Sequence, residues 1–339
     1  HMLDRELIAF VNFRNRMTTV RLPTELGEVV RLVRRLAAQW DRFRAGPQLV
    51  ERHLDRLERS AQRVLADLHR RLMAPLLPLL DESADPIPLV VVPHGPLHQV
   101  PFHALFDGSR YLLERFEISY APSATVWMLC EGRSPGPAEG TLVIGVADDR
   151  IPGAVREAQA VAAHLGAATV LTGGEATLAM LRLLAPRSRA LHLACHGLFR
   201  AENPMFSALR LGDRWVTASE VTGLGLPGSL VTLSACESGR SRVVGGDEIL
   251  GLTRAFLAAG AATLVVSLWL VQDEATVELM EAWARRVAAR ERPVAALRAA
   301  QLEAKERHSH PYFWAPFVLI GGRSGVGEDA AADPGRPAR

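Results

Sequence analysis

From Glu6 to Leu22 the stretch "ELIAFVNFRNRMTTVRL" alternates apolar and polar positions around Arg14-Asn15-Arg16. A period of two broken by a polar centre predicts a β-hairpin. The period then lengthens. Between residues 26 and 80, Val29, Leu32, Val33 and Leu36, and later Leu54, Leu57, Val64, Leu65 and Leu68, fall at helical spacing, so this part predicts amphipathic helices broken near Gly46-Pro47. A short apolar strand over residues 86–92 leads into "PHGPLHQVPFHAL", and "RSPGPAEG" at 133–140 is the best internal break.

Beyond that break the pattern becomes regular. Apolar runs at residues 141–147, 168–171, 190–195, 230–235, 262–269 and 316–320 predict strands, and helical periods at 155–165, 177–184, 248–259, 274–289 and 294–307 lie between most of them. Continuous apolar strands alternating with helices imply burial on both sheet faces. The expected fold is therefore a doubly wound α/β domain with a mainly parallel six-stranded sheet, preceded by a helical/β N-terminal subdomain. The expected divisions are 1–140, 141–323 and a tail at 324–339 with no hydrophobic period, read as disordered. Gly212-Asp213 suits the turn of a small hairpin beside the sheet.

Composition narrows the class. The 339 residues are 48% hydrophobic with a formal net charge of +2, enough apolar matter for a full core and too little charge to call for nucleic acid. Glu51, Asp55, Glu58 and Asp67 interleave the arginines of the helical region, which reads as a solvated face. No apolar run reaches the ~18 residues of a membrane span. Three cysteines, Cys130, Cys195 and Cys236, are too few for a disulfide framework and lack paired zinc spacing, so a cytoplasmic setting is expected. The opening His1-Met2 reads as a cloning remnant, with the native segment starting at Leu3, inside a longer protein.

Chemistry collects at predicted strand ends, where loops of an open parallel sheet form a crevice. His196 in "ALHLACHGLF" follows the third strand of the regular half, and Cys236 in "LVTLSACESG" follows the fourth. A histidine beside a cysteine stabilises the thiolate and then donates a proton to a leaving amine. Backbone N–H groups of Gly197 and Cys236 are the candidate oxyanion donors, and glycine lets substrate approach the main chain. Cys195 and His192 lie within their strand and read as core residues.

Together "ALHLACHG", "LVTLSACESG", "GGDEILGLTRAFLAAGAATLVVSLWLVQDEAT" and "HPYFWAPFVLIGG" resemble the CHAT domains, peptidase-like relatives of caspases and separases. Weaker likeness in "VVVPHGPLHQVPFHAL" and "YLLERFEISYAPSATVW" extends the resemblance over nearly the whole chain before the tail. It implies a caspase-like sheet, peptide hydrolysis, His196 as general base, Cys236 as nucleophile and Gly197 in the oxyanion hole. It also implies that the first half is catalytically inactive. Many members carry an acidic residue where this chain has His94.

Asp273 follows the fifth strand, and with Glu237, the neighbour of Cys236, it is a candidate substrate-binding carboxylate. The resembling stretch of separases places an acidic residue there for an arginine, which implies Arg, then Lys, before the scissile bond. Asp273 equally suits a helix N-cap. Gly245-Gly246 lacks the phosphate-loop pattern and is followed by Asp247-Glu248, so an activation or substrate loop is expected. His94, His98 and His103 lack the companions of a zinc site, and Trp269, Trp283 and Trp314 read as packing residues.

The leading expectation is a cysteine endopeptidase acting on a protein or peptide, with no cofactor, metal, nucleic acid or membrane, regulated by another domain or partner. The alternatives are a catalytically silent binding module and a thiol enzyme with a small-molecule substrate.

Overall fold

The computed structural model describes residues 2–3, 6–45, 47–80, 85–134, 136, 140–149, 151–200, 202–237, 248–269 and 273–322. Strands β1 (Met2–Leu3), β2 (Glu6–Phe13) and β3 (Arg16–Glu25) make a small antiparallel sheet. Arg14 and Asn15 take φ of 50° and 60° in the two-residue turn, the left-handed pair that suits the twist of a hairpin. Helices α1 (Leu26–Trp40) and α2 (Pro47–Leu72) then pack together. Val29, Leu32, Val33 and Leu36 of α1 and Ala61, Val64, Leu65 and Leu68 of α2 are buried, so the helical period does mark the core-facing stripe.

The chain continues through β4 (Ile87–Val91), β5 (Phe116–Tyr120) and α3 (Ala124–Glu131). Next come β6 (Gly140–Gly145), α4 (Ala154–His164), β7 (Ala168–Thr172), α5 (Leu178–Leu184) and β8 (Ser188–Leu198). The short pair β9 (Ala208–Arg210) and β10 (Trp215–Thr217) precedes α6 (Ala218–Val221), β11 (Leu230–Glu237), α7 (Glu248–Ala258) and β12 (Thr263–Ser267). Helices α8 (Asp273–Ala288), α9 (Pro293–Arg307) and α10 (Pro311–Trp314) lead to β13 (Phe317–Gly321).

The main sheet has ten strands where six were expected. All six predicted strands are present. The additions are the β9–β10 hairpin that prolongs the end of β8, and β4 with β5, which join through β13. The first half thus contributes strands to the same sheet as the second: β13 pairs with the edge of β5, and α9 packs against β5 and β13. Most pairs are parallel; β13 runs antiparallel to β12.

Within the sheet the sequence β7-β6-β8-β11-β12 has the doubly wound order 2-1-3-4-5, in which the chain winds outward from β6 to β7 and then returns past β6 to β8. Right-handed crossovers put α4 on one face and α5 and α7 on the other. On the first face α4 packs on α8, and α8 on α9. Odd positions of β8, Leu191, Leu193 and Cys195, enter the main core, while Ala194 makes a separate small cluster with Ile151 and Ala154 at the head of α4. Gly145 is required here. A Cβ at that position would lie 2.7 Å from the Ala158 Cβ, so its absence lets α4 close onto the end of β6.

Trp283 and Trp314 are buried, and Trp269 stacks on Trp40 with ring centroids 5.0 Å apart. His103 is buried, its Nε2 donating to the Ala315 carbonyl at 2.9 Å and its Nδ1 accepting from the Tyr120 hydroxyl at 3.0 Å. Cys130 and Cys195 are buried and form no disulfide. Among the described residues no helix is long and apolar enough to cross a membrane. The predicted loop around Gly245-Gly246 and the tail at 324–339 lie outside the described residues.

Candidate active site

The crevice of a doubly wound sheet opens where successive connections leave in opposite directions, here beyond the carboxyl ends of β6 and β8. His196 stands near the end of β8, and Asp148 lies three residues beyond the end of β6. The His196 Nε2 lies 2.8 Å from the Asp148 carboxylate. A carboxylate only accepts, so Nε2 carries a hydrogen, and in its neutral form the ring has its lone pair on Nδ1. That nitrogen is buried and has no hydrogen-bond partner among the described residues.

Asp148 is itself held by the turn that starts α4: the Ile151 N–H lies 3.2 Å from the Asp148 carbonyl and 3.3 Å from its Oδ1. The His196 side chain is 5% exposed and that of Asp148 49% exposed, so one end of the pair is wet and the ring is covered.

β11 runs parallel beside β8, and the register sets Cys236 opposite His196, Ala235 opposite Cys195 and Glu237 opposite Gly197. Adjacent strands lie about 4.8 Å apart. The two backbone positions separated by a long stretch of sequence are therefore immediate neighbours. Gly197 also pairs with Leu209 of β9. Asp273 is the first residue of α8, shortly beyond the end of β12, the strand on the other side of β11. The side chains of Cys236, Glu237 and Asp273 lie outside what the structure describes.

His192, two strand steps before His196, is the core residue expected: its Nε2 meets the buried Glu157 carboxylate of α4 at 2.8 Å. Two acidic residues escaped the sequence reading. Asp148 sits in "GVADDR", a strand end like those of His196 and Cys236, and the same rule applied to the first strand of the regular half selects it. Glu157 lies on a helix whose period alone gives no sign that the carboxylate is buried.

A family model for the CHAT domain matches residues 62–322, more than half of the sequence. The chain belongs to the CHAT domain family. This CHAT domain is 28% identical over 323 residues to tetratricopeptide repeat protein 28 of Homo sapiens, a match covering 76% of the chain and 13% of the relative. The Mus musculus protein of the same name is 28% identical over 342 residues, covering 81% and 14%. The chain thus spans about a seventh of the length of these curated relatives. Among solved structures, the CHAT domain is similar to separase in the Saccharomyces cerevisiae separase–securin complex, with a TM-score of 0.49 and 14% identity over 66% of this chain and 15% of that one. It is also similar to the Arg-specific cysteine proteinase gingipain R, with a TM-score of 0.48 and 10% identity over 78% and 67%.

Proposed function

We propose that this CHAT domain is a cysteine endopeptidase that cleaves a protein partner. The observation that carries the reading is the His196 ring, oriented by Asp148 through Nε2, with an Nδ1 that has no hydrogen-bond partner among the described residues, on a residue in register with Cys236. In the proposed reaction the Cys236 thiol passes its proton to His196 Nδ1 and its sulfur bonds to the scissile carbonyl carbon. The C–N bond then breaks as His196 returns the proton to the leaving amine; water, deprotonated by His196, bonds to the acyl carbon, the C–S bond breaks and His196 returns that proton to the Cys236 sulfur. Asp148 stabilises the imidazolium formed on the way. The main chain at Gly197 and Cys236 is proposed as the oxyanion site, and Asp273 with Glu237 as the carboxylates that favour Arg or Lys before the scissile bond. A cytoplasmic setting and control by a partner, or by tetratricopeptide repeats of the kind that name its relatives, belong to the same proposal.

A silent binding module is the second reading, favoured by the burial of His196, which must be uncovered before a peptide carbonyl can reach it. Peptide-library cleavage by the wild type and the Cys236→Ala variant, together with labelling by an electrophilic peptidyl probe, separates the two. The peptidase reading expects cleavage after Arg or Lys and probe attachment at Cys236, both lost in the variant. Unlabelled Cys236 with no turnover favours the binding module, and equal turnover by the variant overturns the nucleophile assignment.

A further inference from the structure

One buried carboxylate lies beneath the candidate site and plays no part in the proton transfers above. Glu157, in the first turn of α4, is 4% exposed. Its Oε1 accepts from His192 Nε2 at 2.8 Å, and its Oε2 accepts from the Ser234 hydroxyl at 3.0 Å. His192 belongs to β8 and stands four residues before His196; Ser234 belongs to β11 and stands two residues before Cys236. Both partners are themselves buried. The two oxygens of a single side chain thus hold the two strands that end in His196 and Cys236, one strand each.

The third tie runs through the backbone. The Glu157 N–H donates to the Gly153 carbonyl and the Ala154 N–H to that of Ile151, whose own N–H is bound to Asp148. The turn leading into α4 therefore carries the orienting carboxylate of His196, and the first turn of α4 grips both strands. Ile151, Ala154 and Ala194 form a small buried apolar cluster beside these contacts, with no hydrogen-bonding groups on its side chains.

We propose that Glu157 is a positioning residue, its one carboxylate fixing the strand that bears His196 against the strand that bears Cys236. The proposal rests on the functional reading above only for its turnover readout. Two neutral hydrogen-bond acceptors would not do the same. In Glu157→Gln the amide nitrogen must face either Ser234 or His192, and facing His192 drives the ring hydrogen to Nδ1, which has no partner among the described residues. Displacements well under 1 Å between reacting groups already change rates, and 1 Å costs up to about 100-fold.

The test compares the wild type with Glu157→Gln, Ser234→Ala and Ser234→Thr, reading kcat and KM separately alongside the rate of Cys236 alkylation by iodoacetamide, located by peptide mapping. Expected are a fall of about tenfold or more in kcat and in alkylation rate for Glu157→Gln and Ser234→Ala, with KM within about twofold, and recovery in Ser234→Thr, which keeps the hydroxyl. Combining Glu157→Gln with Ser234→Ala adds little to either alone, since both break one link. Unchanged alkylation in folded Ser234→Ala overturns the positioning role, whether or not the wild type cleaves peptides. Wild type without turnover, but with alkylation that falls in Ser234→Ala, supports the positioning role and removes the peptidase reading instead.

Discussion

Burial of His103 makes stability depend on pH in a way that one substitution isolates. The ring is enclosed between Tyr120 and the Ala315 carbonyl, and burial pushes its pKa from 6.5 to about 4, against the smaller upward pull of the carbonyl bond. Between those values the unfolded chain binds a proton that the folded one refuses. Stability is therefore complete above about 6.5 and is lost as pH falls toward 4. A group shifted by that amount loses about 2 kcal/mol on going from pH 7 to pH 5. His310, likewise lowered to about 4 by burial, adds a loss of the same sign that remains when His103 is replaced. In His103→Gln the side-chain amide keeps a donor for Ala315 and an acceptor for Tyr120 but does not titrate. Urea unfolding at the two pH values is expected to show a wild-type loss about 2 kcal/mol larger than that of the variant. Equal losses in the two proteins would mean that the ring is protonated in the fold, and the enclosure argument would be wrong.

Two further outcomes follow from the same contacts. Asp148→Asn removes the charge that stabilises the His196 imidazolium and permits the other ring tautomer, so kcat for the proposed cleavage is expected to fall by about 100-fold or more with the melting temperature nearly unchanged, measured by steady-state kinetics and thermal unfolding. Arg292 grips the buried Glu117 carboxylate with two bonds of 2.7 and 2.9 Å at the start of α9; Arg292→Met leaves that charge unpaired and should cost about 3–5 kcal/mol in urea unfolding, a cost relieved when Glu117 is replaced by Gln in the same chain.

Periodicity marked most of the elements of this protein, because each depends on neighbours along the chain. The hairpin around Arg14 and Asn15, the apolar runs that became β6, β7, β8, β11, β12 and β13, and helices α4, α5, α7, α8 and α9 follow from spacing, as does the placing of His196 and Cys236 at strand ends, whereas β5, α3, α6 and α10 were not marked by it. Local pattern also pointed to the CHAT family through motifs on and beside those elements.

The tertiary structure decided everything that depends on which elements become neighbours. The Cys236–His196 register is a property of two strands laid side by side, and no spacing in the chain encodes it. The joining of β4 and β5 to the sheet through β13 required contact between segments roughly two hundred residues apart, on opposite sides of the break at 133–140. Asp148 and Glu157 gained their meaning only with α4 packed against the end of β6: the turn before the helix brings the half-exposed Asp148 to His196, and packing removes the water from Glu157 and supplies His192 and Ser234 as partners.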